Sequence, residues 1–471
     1  MAGRGTGPGQ GGAMTASGIA DLGPLRRARE QQAWYWYDWA NSAYVTTTAA
    51  VLFAPYLTSV AEKSACGFVT DEDKGLKCTE DLHVLGLSLS AGSLVFYIVT
   101  AATILSALVL PVVGAIADRS GAKPRLLGGF AWAGSLMAML MFLVTGSNWQ
   151  LGAGLLLLAT LFLGASLVVY DALLVDIADP DDRDRVSSRG WALGYLGGGI
   201  LLALNFGLLS VMSDDTELAV RISLLSAGLW WAVFTIIPVR GIRARPPVHP
   251  VAEPGGLLRA SFGQLWRTLK DLRRYPVTMT FLAAYLFYND GIQTVIYAAS
   301  VYGEKQLGFE KSTVLLAFLV VQFVGILGAL WFGRVARGRG AYRVILGGLV
   351  VWLLVVVAGW LTPDENLPLF LLLAVGIGIV LGGTQALSRS FYSQLIPRGR
   401  EAEYFSLYQA CERGTSWVGT LIFGLVHQWT DSYRPALLAL VVLFVVGIVL
   451  LLRVDPRRGI REAGNPLPQV V

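Results

Sequence analysis

Apolar stretches of about 20 residues follow one another along the chain, and few folds accept such a pattern. A stretch of that length makes a helix long enough to cross the hydrocarbon core of a bilayer. Inside that core every backbone N–H and C=O must be satisfied within the protein, which leaves helices and closed barrels. The approximate stretches are 34–60, 86–113, 124–145, 151–176, 189–212 and 220–239, then 277–301, 312–332, 343–361, 368–394, 404–427 and 435–452. We number them spans 1 to 12. They form two sets of six, so the expected class is an all-α membrane protein with twelve transmembrane helices in two six-helix pseudo-repeats. The expected parts are a disordered cytoplasmic tail over 1–33, an N-terminal half over 34–239, a linker over 240–276, a C-terminal half over 277–453 and a tail over 454–471. Composition agrees: 54% of residues are hydrophobic and only 15% charged, against about 25% charged in soluble domains. Residues 1–33 are Gly-rich and then basic, without the apolar core of a cleavable signal, so span 1 is expected to serve as the insertion signal.

Charge sets the orientation. With both termini and the even-to-odd connections in the cytoplasm, 29 of the 37 Lys and Arg fall on or beside that face and seven outside. A Lys/Arg bias of this kind is the positive-inside pattern. It places both termini in the cytoplasm, and the expected location is a bacterial cell membrane. The linker opens Pro-rich (Pro246, Pro247, Pro250, Pro254) and continues into a basic amphipathic stretch, 257–272, suited to lie on an anionic leaflet. The net charge of +5 is explained by this distribution and not by a nucleic-acid patch.

Catalytic chemistry has no foothold. The three histidines, His83, His249 and His427, are far apart, and HExxH and CxxC are absent. No metal, cofactor or catalytic residue is expected, and the chain is expected not to be an enzyme. Cys66 and Cys78 share one hydrophilic loop; they are either a disulfide on an oxidising face or two separate thiols. The Gly-rich N-terminus has no G-K-[ST] and is not a phosphate loop.

Polar residues within the spans are the informative exceptions, because ionisable groups there face a protein interior or a watery cavity. Span 1 opens W-Y-W-Y-D-W-A-N-S-A-Y, and helical spacing puts Asp38, Asn41 and Ser42 on one stripe. Asp171 lies in the inner part of span 4. Asp290 is about 13 residues into span 7, near the midplane at about 1.5 Å per residue, with Gln293 and Thr294 on its face. Arg389 lies in the inner part of span 10 near Gln385, and Glu412 and Arg413 are candidates for an intramembrane charge pair in span 11. Gly190, Gly194 and Gly198 of span 5 are spaced for close helix packing.

Between spans 2 and 3 the chain reads G-A-I-A-D-R-S-G-A-K-P-R-L, Gly114 to Leu126. This resembles the loop signature of the major facilitator superfamily. The resemblance implies a gate latch in which Gly114, Asp118, Arg119 and Lys123 hold the cytoplasmic side shut in the outward-facing state. Ala122 stands where the family often has a basic residue, and Lys123 or Arg125 is expected to take over. The matching loop of the second half, G-R-V-A-R-G-R-G-A-Y-R from Gly333, keeps the glycine spacing and points to internal duplication. Y-D-W-A-N-S-A-Y, S-S-R-G-W-A-L-G-Y-L-G-G-G, F-Y-N-D-G-I-Q-T, G-G-T-Q-A-L-S-R-S and E-Y-F-S-L-Y occur in this order. Together they resemble the vacuole-effluxer-like family of that superfamily, although Glu412-Arg413 replaces a frequent Gly-Lys. The resemblance implies a secondary transporter of a small polar solute, with amino-acid efflux leading; the buried acids make a proton the candidate coupling ion, and a monomer is expected. Sugar, drug or lysolipid transport and a non-transporting membrane sensor or scaffold are the alternatives. It also implies that spans 1, 4, 7 and 10 bring Asp38, Asn41, Asp171, Asp290, Gln293, Gln385 and Arg389 around one central cavity.

Overall fold

The computed structural model describes residues 23–67, 78, 80–84, 87–247, 270–414, 416–430 and 432–471. Ten helices among them are long and apolar enough to cross a membrane. The two other expected spans are helical over Pro276–Val301, and over Glu401–Gly414 with Ser416–Thr430. Their hydropathy is lowered by the residues that make them interesting, Asn289, Asp290 and Gln293 in one and Glu403, Gln409 and Glu412 in the other. Spans 2 to 6 are Leu94–Arg119, Lys123–Leu140, Trp149–Ile177, Arg183–Val211 and Thr216–Gly241. Spans 8 to 10 are Lys311–Arg339, Ala341–Leu361 and Leu367–Gln394, and span 12 comprises Tyr433–Ala439 and Val441–Leu452. Exposed Leu, Val, Ile and Trp side chains stud the outside of the bundle, as a lipid-facing surface requires.

Span 1 is longer than the apolar run suggested. Its helix begins at Pro24, so residues 24–33 are not part of a disordered tail. They are ordered by contacts that composition does not reveal. Arg27 pairs with Asp179 and Glu30 with Arg245, while Gln31 Nε2 donates to Ile177 O at 3.1 Å. After Tyr44 the helix widens into a π-helical stretch, Val45–Leu52, and returns to α-helix over Phe53–Cys66. Span 7 likewise passes into a π-helical turn, Tyr302–Gln306.

A second departure lies on the opposite face, where Cys66 is disulfide-bonded to Cys78. Strands β1 (Asp81–Val84) and β2 (Leu87–Ser90) then form an antiparallel hairpin, and span 2 starts at Leu94, not near residue 86. The L-S-L-S alternation of residues 87–90 has the period of a strand, which an apolar count overlooks.

The described termini share one face, here the terminal face. The C-terminal residues fold onto it: Pro456–Glu462 is helical, and Asn465 Nδ2 donates to Gln394 O and Ile396 O at 2.9 and 2.8 Å. The amphipathic stretch expected at 257–272 lies outside the described residues, apart from its last three.

The two halves meet in a pseudo-symmetric way. Span 2 packs on the first helix of span 11, and span 8 packs on span 5. The duplicated glycines sit at both contacts: Gly114 against Ala402 and Glu403, Gly333 against Ser188.

Candidate functional site

Span 5 is built to receive span 1. A side chain at Gly194 would meet Ser42 Oγ at 2.6 Å, and one at Gly198 would meet Thr46 Oγ1 at 2.7 Å. The glycines spaced by four thus seat the polar stripe of span 1 one turn at a time. At the start of that stripe is a buried ionic cluster. Arg389 Nη2 of span 10 donates to Asp38 Oδ2 at 3.1 Å, and Nη1 to Asp171 Oδ1 of span 4 at 3.5 Å. Arg389 Nε also donates to Ser187 Oγ at 2.9 Å and Nη2 to Ser187 O at 3.2 Å. Trp34, Tyr170 and Trp191 surround the guanidinium, with ring centroids 4.8, 5.3 and 5.6 Å from Cζ. Arg389 is 3% exposed, Asp38 6% and Asp171 1%. Two acids of the first half therefore grip one cation of the second in a dry interface.

This cluster is part of a seal across the terminal face. Nearer that face, Arg183 Nη1 donates to Ser393 O at 2.9 Å, and Ser390 Oγ donates to Asp184 Oδ1. Ser187 Oγ donates to Ala386 O at 2.7 Å. On the other flank, both oxygens of Asp118 accept N–H groups at the start of the helix Glu401–Gly414, from Ala402 at 2.9 Å and Glu403 at 2.8 Å. A carboxylate at a helix N-terminus is favoured by the unpaired N–H groups and the helix dipole. Gly114 is required there, because a Cβ would lie 2.8 Å from Glu403 Cα. Lys123 Nζ pairs with Asp176 Oδ2 at 3.2 Å, so it braces spans 3 and 4 within one half. Arg119 is half-buried at the end of span 2.

Above the seal a cavity of about 290 Å³ separates the halves. Its polar floor is formed by Ser42, Trp191, Gln293, Gln385 and Glu412, and its walls rise along apolar residues of spans 1, 7, 8, 9 and 10 toward the far face. The cavity is not fully enclosed, and Tyr297 in its wall is 55% exposed. Five residues of the π-helical stretch, Val45, Thr46, Ala49, Ala50 and Val51, line it. Such π segments often mark functional places in helices.

The residues expected around one cavity therefore divide. Gln293 and Gln385 line it; Asp38, Asp171 and Arg389 lie beneath its floor as a closed ionic cluster. Asn41 turns inward on its own helix, donating to Tyr37 O at 2.6 Å. Asp290 does not line the cavity either; its Oδ2 accepts from Gly419 N of span 11 at 2.8 Å. Position along a span gave each residue its depth, but rotation about the helix axis decides what it faces. Glu412, a candidate for an intramembrane charge pair, lines the cavity. Gln409 Nε2 donates to Glu412 Oε2 at 3.2 Å and to Asp171 Oδ2 at 2.8 Å, linking floor and cluster. The Arg413 side chain lies outside the described residues. Arg183, Asp184, Ser187 and Gln409 were missed in the sequence; the S-S-R-G motif and the run of charges before it were the available signal. Among the described residues, no group of three or more His, Cys, Asp or Glu is placed to hold a metal ion.

Known proteins agree with this architecture. The family model described as "Vacuole effluxer Atg22 like" matches residues 26–464. An uncharacterized MFS-type transporter, YxiO, of Bacillus subtilis (strain 168) is 29% identical, over 94% of this chain and 99% of its own length. Autophagy-related protein 22 of Pyricularia oryzae is 26% identical, over 94% of this chain and 78% of its own. Among solved structures, the major facilitator proton:xylose symporter XylE aligns with a TM-score of 0.67 at 9% identity, over 92% of this chain and 96% of that one. A bacterial homologue of the iron transporter ferroportin, in an outward-facing state, aligns with a TM-score of 0.63 at 14% identity, over 91% and 98%. These likenesses confirm the major facilitator fold. The chain belongs to the vacuole effluxer Atg22-like family and is a major facilitator-type membrane transporter.

Proposed function

We propose that the chain carries a small amphipathic solute across a bacterial cell membrane by alternating access, with its termini in the cytoplasm. The observation that carries this reading is the cavity between the halves, open to one side and closed on the other by polar contacts that can separate. Opening the terminal face means parting Arg389 from Asp38 and Asp171, and Asp118 from span 11, while the far ends of the halves close. The Cys66–Cys78 disulfide supports the orientation, since such bonds persist on oxidising faces.

Amino acids with apolar side chains are the solute we favour, and efflux the direction, in keeping with the family's description. The cavity lies near the lower end of small-molecule pockets, roughly 300 Å³. An ammonium group would meet Glu412 and the amide oxygens of Gln385 and Gln293, and the side chain would meet the apolar wall. Arg389 is committed to Asp38 and Asp171, so it is not the partner of a carboxylate in this state. The Trp191 indole N–H, which has no hydrogen-bond partner among the described residues, and the two glutamine amides are the donors at hand. The same apolar wall would suit an organic cation, which is the second reading.

Counterflow of labelled leucine into liposomes holding the purified protein tests this. Saturable exchange is expected, with Glu412→Gln and Gln385→Ala each lowering it at least about tenfold, as the loss of a charge-assisted hydrogen bond of about 1.5–3 kcal/mol implies. Exchange of leucine unaltered by both changes would remove the cavity from the pathway. Exchange of organic cations but not of amino acids would favour the second reading, and folded protein that exchanges nothing would favour a sensor or scaffold.

Coupling is assigned to Asp290. Asp38 and Asp171 are ion-paired with Arg389, whereas Asp290 makes no ion pair among the described residues and can take up a cation, the proton being the simplest. Solute flux indifferent both to a pH gradient and to Asp290→Asn would defeat proton coupling there.

A further inference from the structure

We infer that Asp290 and Thr294 form a binding site for a sodium-sized monovalent cation between spans 7 and 11, for which the proton competes. The two residues are one turn apart on one face of span 7, and each is 1% exposed. Asp290 Oδ2 accepts from Gly419 N, but Asp290 Oδ1 and Thr294 Oγ1 have no hydrogen-bond partner among the described residues, not even each other. Gly419 packs directly against the Thr294 hydroxyl, leaving no room there for a side chain. A carboxylate buried without a cation is costly, and orphaned buried oxygens in native proteins are commonly met by an ion or a water. A proton on Oδ1 would leave the threonine hydroxyl unsatisfied. A cation lying between the two oxygens would take a lone pair from each.

The backbone of span 11 takes part in this contact. Within the helix Ser416–Thr430 the Gly419 N–H also reaches Asp290 of span 7, and the Glu412 carbonyl accepts from Asn289 Nδ2 at 3.2 Å, so span 11 is hydrogen-bonded to span 7 at this level.

Charge matching sets the valence. Span 12 brings Leu443 against Gly419 and Phe444 against Gly291, and Asn289 of span 7 reaches Gln385 of span 10. Glu412 of span 11 has its side chain at the cavity. One carboxylate balances one monovalent ion, whereas calcium and magnesium sites recruit more oxygen ligands and charge. Asn289 joins this site to the cavity, because its Oδ1 accepts from Gln385 Nε2 at 2.8 Å.

The deduction rests on the transport reading only for its consequence, since cation binding can be measured without solute. Thermal unfolding of the purified full-length protein would be followed in sodium chloride and in choline chloride at equal ionic strength. Sodium is expected to raise Tm saturably, with its half-maximal concentration rising about tenfold per pH unit below the pKa of the carboxyl, as competition for one ligand requires. Thr294→Val, close in shape but lacking the hydroxyl, is expected to raise that concentration at least about tenfold. Asp290→Asn is expected to abolish the sodium response. Equal Tm in the two salts at every pH, or a sodium response that survives both substitutions, would overturn the site. Solute exchange without a sodium response would defeat this inference alone, and a sodium response without solute exchange would defeat the transport reading alone.

Discussion

Replacing Arg389 with alanine would strand Asp38 and Asp171 in an interface that water does not reach. Breaking a buried ion pair by removing one partner costs about 3–5 kcal/mol, and here two carboxylates lose the same cation. Because Arg389 belongs to one half and the acids to the other, much of that cost falls on the closed terminal face. Arg389→Ala is therefore expected to lower Tm and to make Ser390→Cys, within the seal, react faster with a membrane-impermeant maleimide added from the terminal side. Arg389→Lys is expected to recover only part of the loss, since an ammonium cannot present the planar donor fork that two carboxylates and Ser187 engage. The importance of these residues was legible in the sequence, because charges inside apolar spans are rarely idle. Salt bridges from Asp38 or Asp171 to Arg389 or Arg413 were among the options, but which of them form was not legible. An alternative arrangement with Asp38 at the rim and Arg389 in the cavity satisfies the same spacing, and only helix rotation separates the two.

At the scale of elements, the seal depends on a side chain of one span capping another. Asp118 accepts from two N–H groups of the helix Glu401–Gly414, so the first turn of span 11 is tied to the end of span 2. Asp118→Asn keeps the shape but loses the charge, at about 1–3 kcal/mol for hydrogen bonds that were charge-assisted. The expected result is a larger share of molecules open at the terminal face, read as faster labelling of Ser390→Cys with little loss of total protein. Unchanged labelling would mean that the span 5–span 10 contacts hold the face by themselves. The loop motif announced Asp118 as part of a latch, although not its partner. By contrast, the π-helical stretch of span 1 had no warning in V-T-T-T-A-A-V-L, whose composition suits either helix type. The hairpin at 81–90 did carry a signal, a strict alternation of Leu and Ser, but it was absorbed into an apolar run.

For the whole molecule, length and apolar continuity were enough to establish the class, because a bilayer leaves so few solutions for the backbone. Pseudo-symmetry then follows from duplication: span 2 meets span 11 as span 8 meets span 5, with a glycine at each crossing. What sequence alone could not provide was the state of the molecule, shut on the terminal face and open on the other. The contacts that shut the terminal face join residues more than a hundred positions apart, and the state is a balance that those contacts bias. The far-face disulfide is outside that balance. Cys66→Ser is therefore expected to loosen the loop after span 1, seen as faster proteolysis there, while leaving the labelling of Ser390→Cys unchanged. Alternation of the two faces is the central claim, and distances between spin labels test it most directly. One label pair would bridge the halves on the far face, at Ser213 and Leu361, and a second would bridge them on the terminal face, at Gly121 and Gly338. Two populations are predicted, with the far pair shorter whenever the terminal pair is longer, and solute or Asp118→Asn shifting the balance between them. A single distance for each pair, unmoved by either, would contradict alternating access.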